Sequence, residues 1–159
     1  MATPLNPPGR AALIELPSES GMASVARTTV RAVLEACSGA RIAGRDLDEI
    51  SVVVQEACTN AIRHAHHLDA SKAFRVEVFQ EDDRVEILVS DGGAPFALSD
   101  APMPEPEHLR EGGYGVHIMR TWMDEVSVRH DGTGNVLRLV RRLGAASEAR
   151  DDAGAARHV

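Results

Sequence analysis

Apolar residues recur along this chain with two different periods, and the switches between them mark out the elements. Residues 11–16 (AALIEL) read as a short strand stopped by Pro17. From Ser24 onward Val25, Val30, Val33 and Leu34 return at helical spacing until Gly39, with Ser18 and Ser20 as candidate caps. A second helix is expected after Asp46, read as its cap, with Ile50, Val53, Val54, Ala57, Ala61, Ile62 and Ala65 as its apolar stripe. Residues 74–79 and 85–89 alternate with period two, and Glu81-Asp82-Asp83 between them predicts a hairpin. Pro102, Pro104 and Pro106 suit neither a helix nor a central strand, so residues 97–111 predict a long mobile surface loop. A helix over 115–125 follows, then strands over 126–129 and 136–143 around the turn Asp131-Gly-Thr-Gly134.

The order β-α-α-β-β-loop-α-β-β groups strands with strands and helices with helices. It predicts an α+β fold, with helices on one face of a mixed, mostly antiparallel sheet. Residues 1–10 are proline-rich and residues 144–159 hold few large apolar groups, so both are expected to be disordered tails around one domain at 11–143. Charge narrows the functional classes. A formal net charge of −7 over 159 residues argues against a nucleic-acid partner. No apolar run approaches a membrane span, and the first ten residues lack the apolar core of a secretory signal. Two cysteines, Cys37 and Cys58, with no CxxC spacing make a disulfide framework or zinc ribbon improbable. The expected location is the cytoplasm.

Three clusters carry candidate chemistry. Glu56 and Asn60 lie four apart on the second predicted helix and so share a face. A carboxylate there can take a proton from a nucleophile, and a carboxamide oxygen is a hard ligand suited to Mg²⁺. Asp91, at the end of a strand and followed by Gly92-Gly93-Ala94-Pro95-Phe96, can accept a hydrogen bond from an exocyclic amine. Adenine presents such an amine where guanine presents a carbonyl. Gly112-Gly113-Tyr114-Gly115-Val116 opens a helix whose free backbone N–H groups suit a phosphate. Alone, each cluster also has an ordinary reading: a solvated helix face, an Asp-Gly turn, a flexible hinge. In sequence they order a base and metal ligand, an adenine acceptor, a lid and a phosphate cradle, and together they point to an ATP site. His64, His66 and His67 could ligate zinc, but with no fourth ligand nearby they read as helix surface or loop. Cys58 reads as a small core group.

These residues resemble the GHKL ATPase/kinase superfamily, and most of all the bacterial serine/threonine-kinase anti-sigma factors of the SpoIIAB and RsbW type. Glu56-Ala-Cys-Thr-Asn60-Ala-Ile-Arg-His64-Ala is similar to that family's N box, and Asp91-Gly-Gly-Ala-Pro-Phe96 to its first glycine box. Gly112-Gly-Tyr-Gly-Val-His-Ile-Met119 is similar to its second, and residues 136–143 to its last strand. The resemblance implies a two-layer α/β sandwich of the Bergerat type that uses ATP and Mg²⁺. Glu56 would be the catalytic base and Asn60 the Mg²⁺ ligand. Asp91 would bind the adenine amine, with Gly93 against the ring, and Gly113, Tyr114, Gly115 and Val116 would surround the phosphates. Asn135 stands where the family commonly has threonine, so its amide would replace a hydroxyl near the adenine. The implied function is phosphorylation of a serine on a STAS-type anti-anti-sigma protein and sequestration of a sigma factor, by a homodimer. The alternative is an ATP-binding regulatory module that sequesters its partner without transferring phosphate.

Overall fold

The computed structural model describes residues 9–38, 41–98 and 114–144. Five strands form one sheet in the order β1-β2-β3-β5-β4: β1 (Arg10–Pro17), β2 (Ala73–Gln80), β3 (Arg84–Asp91), β4 (Glu125–His130) and β5 (Asn135–Arg142). All four pairings are antiparallel, as expected of a mostly antiparallel sheet, and none is parallel among the described residues. The helices are α1 (Met22–Ser38), α2 (Gly44–Asn60) and α3 (Tyr114–Trp122). No helix among the described residues is long and apolar enough to cross a membrane.

Period-two patterning sorts the two faces. Pairing sets Ile14 beside Val76, Val76 beside Val89, Val89 beside Leu137 and Leu137 beside Val128. This row and its neighbours, with Phe74, Val78, Ile87 and Leu139, meet the apolar sides of the helices. From α1 come Ala26, Val30 and Leu34, and from α2 Ile50, Val53, Val54 and Ala57. Cys58 is also enclosed there, and burial pushes its thiol up to about 12, so it packs as an apolar group. The opposite face of the sheet carries ion pairs: Arg75 with Glu15, Arg10 with Glu77, and Arg138 with both Glu86 and Glu125.

Local expectations need four corrections. Ala43, not Asp46, precedes the first turn of α2. Asp46 is 3% exposed and pairs instead with the 3% exposed Arg141 of β5, which also reaches Glu49 at 2.7 Å and the Trp122 carbonyl ending α3. Ser18 is no cap either, because its hydroxyl turns inward to His66. The third helix stops at Trp122, since Glu125 is already paired with Val140 in the sheet. The α-helical stripe expected through Ala65 gives way after Asn60 to one turn of π-helix, Ala61–Ala65. The expected tails, apart from Gly9, Arg10 and Gly144, lie outside the described residues, as does the proline loop beyond Leu98. Arg10 belongs to β1.

Candidate functional site

A cavity of about 430 Å³ opens between the end of α2, the start of α3 and residues 94–98. That volume falls within the usual range for small-molecule sites. Ala57, Ala61, Val89, Met119 and Leu137 give it apolar walls, while Asn60 and Asp91 project polar groups into it. Such a slot suits a flat heteroaromatic ring held by one directional contact.

Asp91 ends β3 opposite Asn135, the first residue of β5. Its Oδ1 accepts hydrogen bonds from the Gly93 amide at 2.8 Å and from Asn135 Nδ2 at 2.9 Å. Among the described residues Oδ2 has no donor, which leaves one carboxylate oxygen able to accept from a ligand. Asn135 is 1% exposed. Its Nδ2 also donates to the Ala94 carbonyl at 2.9 Å, and its Oδ1 accepts from the Phe96 amide at 3.3 Å. The amide expected to face the ring is therefore committed to the protein, where it orients Asp91 and the 93–96 segment. Close backbone packing completes this corner. A methyl group at Gly93 would lie 2.6 Å from Ala65 Cβ, and one at Gly134 would collide with the Asp91 carbonyl.

At the other end, Gly115 of α3 packs on the face of α2 that carries Glu56 and Asn60. A methyl there would sit 3.0 Å from Glu56 Oε2 and 3.6 Å from Asn60 Nδ2. Glycine is needed here for space beside the carboxylate. Glu56 and Asn60 are half-buried, and their side chains have no hydrogen-bond partner among the described residues. Asn60 and Val116 line the cavity, whereas Glu56 and Gly115 adjoin it. Tyr114, half-buried, opens α3 outside the cavity wall. The first N–H groups of α3 lack partners within the helix, as at any helix start. Gly113 lies outside the described residues. No group of three or more His, Cys, Asp or Glu gathers into a metal set among the described residues. Asn60 fits Mg²⁺ as a single oxygen donor, the usual case when the ion arrives with phosphates and keeps its own waters.

The expectation that His66 lies on the helix surface or in a loop with His64 and His67 is corrected by the structure. His66 is 2% exposed. Its Nε2 accepts the Gly92 N–H at 3.1 Å, and its Nδ1 lies 2.6 Å from Ser18 Oγ. A backbone N–H can only donate, so Nε2 is unprotonated and Nδ1–H donates to Ser18. The π-turn produces this placement: the His66 amide bonds back to the Ala61 carbonyl, five residues away, and His67 and Leu68 follow at φ 53° and 61°. His64 and His67 remain exposed at the cavity wall. Only the irregular turn that follows α2 separates the buried histidine from its exposed neighbours, and helical periodicity does not reveal such a break.

Burial lowers the His66 pKa, against an opposing influence from Asp91. The fold thus favours neutral imidazole. Its contribution to stability is complete above the ordinary histidine value of about 6.5 and is lost as pH falls through that value toward the folded one. The urea midpoint is expected to fall between pH 7.5 and 5.5, and to fall less in His66→Gln. Equal falls in the two proteins would contradict the assignment.

Residues 20–141 match the family model described as histidine kinase-like ATPase domain. The chain is 39% identical over 94 residues to a serine-protein kinase RsbW of Bacillus licheniformis, a match covering 54% of this chain and 59% of that protein. It is 30% identical over 127 residues to a protein of the same name from Bacillus mycoides, covering 74% and 76%. Among solved structures, a histidine kinase domain from a blue-light activated histidine kinase of Erythrobacter litoralis superimposes with a TM-score of 0.49 at 18% identity, covering 81% of this chain and 63% of that one.

Proposed function

The chain belongs to the histidine kinase-like ATPase domain family, beside bacterial proteins named serine-protein kinase RsbW, and on that premise we propose that it is an ATP-dependent protein serine kinase acting as an anti-sigma factor. The observation that carries this reading is the two-ended cavity. Asp91 offers an oriented carboxylate oxygen at one end, and Glu56, Asn60 and Gly115 meet at the other.

The adenine amine would donate to Asp91 Oδ2 while the ring lies between Ala61, Met119 and Leu137. Gly93, packed on Ala65, would let the backbone approach the ring. Gly113, Tyr114, Gly115 and Val116 would surround the phosphates at the start of α3. Asn60 would hold Mg²⁺, which when bound neutralises phosphate oxygens. Glu56 would take the proton from an incoming serine hydroxyl. The serine oxygen then forms its bond to the γ-phosphorus as the bond to the ADP oxygen breaks. Phosphoryl transfer depends chiefly on positioning and charge neutralisation, which these groups can supply. The acceptor we propose is a serine of a STAS-type anti-anti-sigma protein, with a sigma factor as the sequestered partner and a homodimer as the working form. Residues 11–143 would constitute the functional domain, in the cytoplasm.

Thermal unfolding with Mg-ATP, Mg-GTP or neither tests the nucleotide site. At 100 times Kd, ATP is expected to stabilise the protein by about 2.7 kcal/mol, or several degrees in Tm for a domain of this size. GTP should give little shift, and Asp91→Asn should abolish the ATP effect, because the amide oxygen would stay with the Gly93 and Asn135 donors and its NH2 would face the adenine amine. An equal response to both nucleotides, or an unaltered response in Asp91→Asn, would refute the adenine assignment. Phosphate transfer to a STAS protein then tests the kinase. Stabilisation by ATP without transfer would make the chain a nucleotide-gated binding module.

A further inference from the structure

We propose that His66 is a positioning residue for nucleotide recognition, whose neutral imidazole ties Gly92 to Ser18 and so holds the Asp91 carboxylate in its binding orientation. This rests on the ATP reading above.

Asp91 must keep one oxygen aimed into the cavity, and its own hydrogen bonds fix only the other. Asn135 and the Gly93 amide both hold Oδ1. The peptide between Asp91 and Gly93 is held separately, by the Gly92 N–H donating to His66 Nε2. His66 can do this because its opposite nitrogen is anchored on Ser18, which is itself buried and bonded through its amide to the Lys72 carbonyl at 2.9 Å. Three distant segments therefore converge on one turn: the link from β1 to α1, the π-turn after α2, and the end of β3. The neighbouring contact of Gly93 with Ala65 leaves little room for that turn to shift.

The imidazole works as an acceptor only while Nε2 is unprotonated. Protonation would set an N–H against the Gly92 N–H, removing one hydrogen bond and opposing two donors. Asp91 from the end of β3 and Asp69 from the segment before β2 favour the charged ring. Lys72 of the same segment and the adjacent His67 oppose it, and burial is the largest influence, against charge. At neutral pH the acceptor is thus in place. Acidification withdraws it and frees the turn that carries Asp91. ATP affinity then falls with the titration of His66.

The test is ATP affinity at saturating Mg²⁺ from pH 7.5 to 5.5 on the full chain, for wild type, His66→Gln and His66→Phe. Glutamine keeps an acceptor toward Gly92 but does not titrate. Wild type is expected to lose about tenfold in affinity, the scale of one buried hydrogen bond, beyond any loss in His66→Gln. Titration of ATP itself cancels in that comparison. At pH 7.5 His66→Gln should bind within a few-fold of wild type. His66→Phe should raise KM for ATP with kcat at saturation little changed. In the absence of nucleotide, the Gly92 amide resonance should shift with pH in wild type and stay still in His66→Gln, a readout that remains if His66→Phe does not fold. Parallel affinity profiles for wild type and His66→Gln, or a Gly92 resonance indifferent to the substitution, overturn the proposal while leaving the nucleotide site intact. Wild type that fails to bind ATP at pH 7.5 overturns the nucleotide reading and this proposal with it.

Discussion

Glu56→Gln is expected to cut phosphate transfer to the acceptor serine by about 10²- to 10⁴-fold, the usual contribution of a positioned general base, while the rise in Tm with Mg-ATP stays. The separation follows from geometry. Glu56 adjoins Gly115 and lies one helical turn from Asn60, at the end of the cavity away from Asp91. It is outside the apolar slot proposed for the ring, so removing its charge leaves the ring's contacts alone. Glutamine preserves volume beside Gly115, where a larger group would press on the start of α3. Transfer assays with a serine-bearing STAS protein, run at saturating ATP, measure the first effect, and thermal unfolding measures the second. Transfer within a few-fold of wild type would remove Glu56 from the base role. Loss of nucleotide binding would instead give it a part in holding the phosphates.

A comparably large effect is expected far from the cavity. Arg141 stands on the helix-facing side of β5, buried among apolar neighbours, with Asp46 and Glu49 from the start of α2 and the carbonyl ending α3 around it. Removing the cation strips two carboxylates of their buried counter-charge. Arg141→Met is expected to cost about 3–5 kcal/mol, on the order of 10 °C in Tm for a domain of this size. A second substitution separates charge from packing. Arg141→Met combined with Asp46→Leu should regain much of the loss, because an apolar replacement of a buried ion pair is often close to neutral. Calorimetry of the three proteins measures both values. A small effect of the single variant would mean that the carboxylates reach water without their partner. Because Arg141 bonds to the far ends of both α2 and α3, the single variant should also loosen the approach of Gly115 to Glu56.

These cases show where the chain is legible and where it is not. The β2 and β3 segments alternate cleanly, and Val76, Val78, Ile87 and Val89 are buried as that period requires. The cavity residues Asn60, Asp91 and Val116 were likewise readable, because their chemistry sits in compact local motifs. Contacts between distant segments were not readable. An aspartate before a helix looks like a cap, and only β5, 95 residues on, shows that Asp46 serves Arg141. Ser18 looked like a cap for the same reason, until His66 arrived from 48 residues away. The family resemblance puts the Asn135 amide near the adenine, and only the folded chain shows that it is taken up by Asp91, Ala94 and Phe96. The π-turn escaped because one extra residue per turn leaves composition and average spacing almost unchanged.

The position of β5 in the sheet sets an order on biosynthesis. Strands β1, β2 and β3 are adjacent in the sheet and all precede β4 and β5 in the chain, so their pairing can begin while the rest of the chain is still being made. Strand β5 enters between β3 and β4, and β4 has no other strand beside it among the described residues. Asn135 and Gly134, which seat the Asp91 turn, arrive on the same late segment. A ribosome-bound intermediate lacking β5 can therefore hold a partial sheet but not an oriented Asp91. The proposed nucleotide site would be complete only after the last strand has emerged and inserted, so an unfinished chain would lack the corner proposed to hold the adenine.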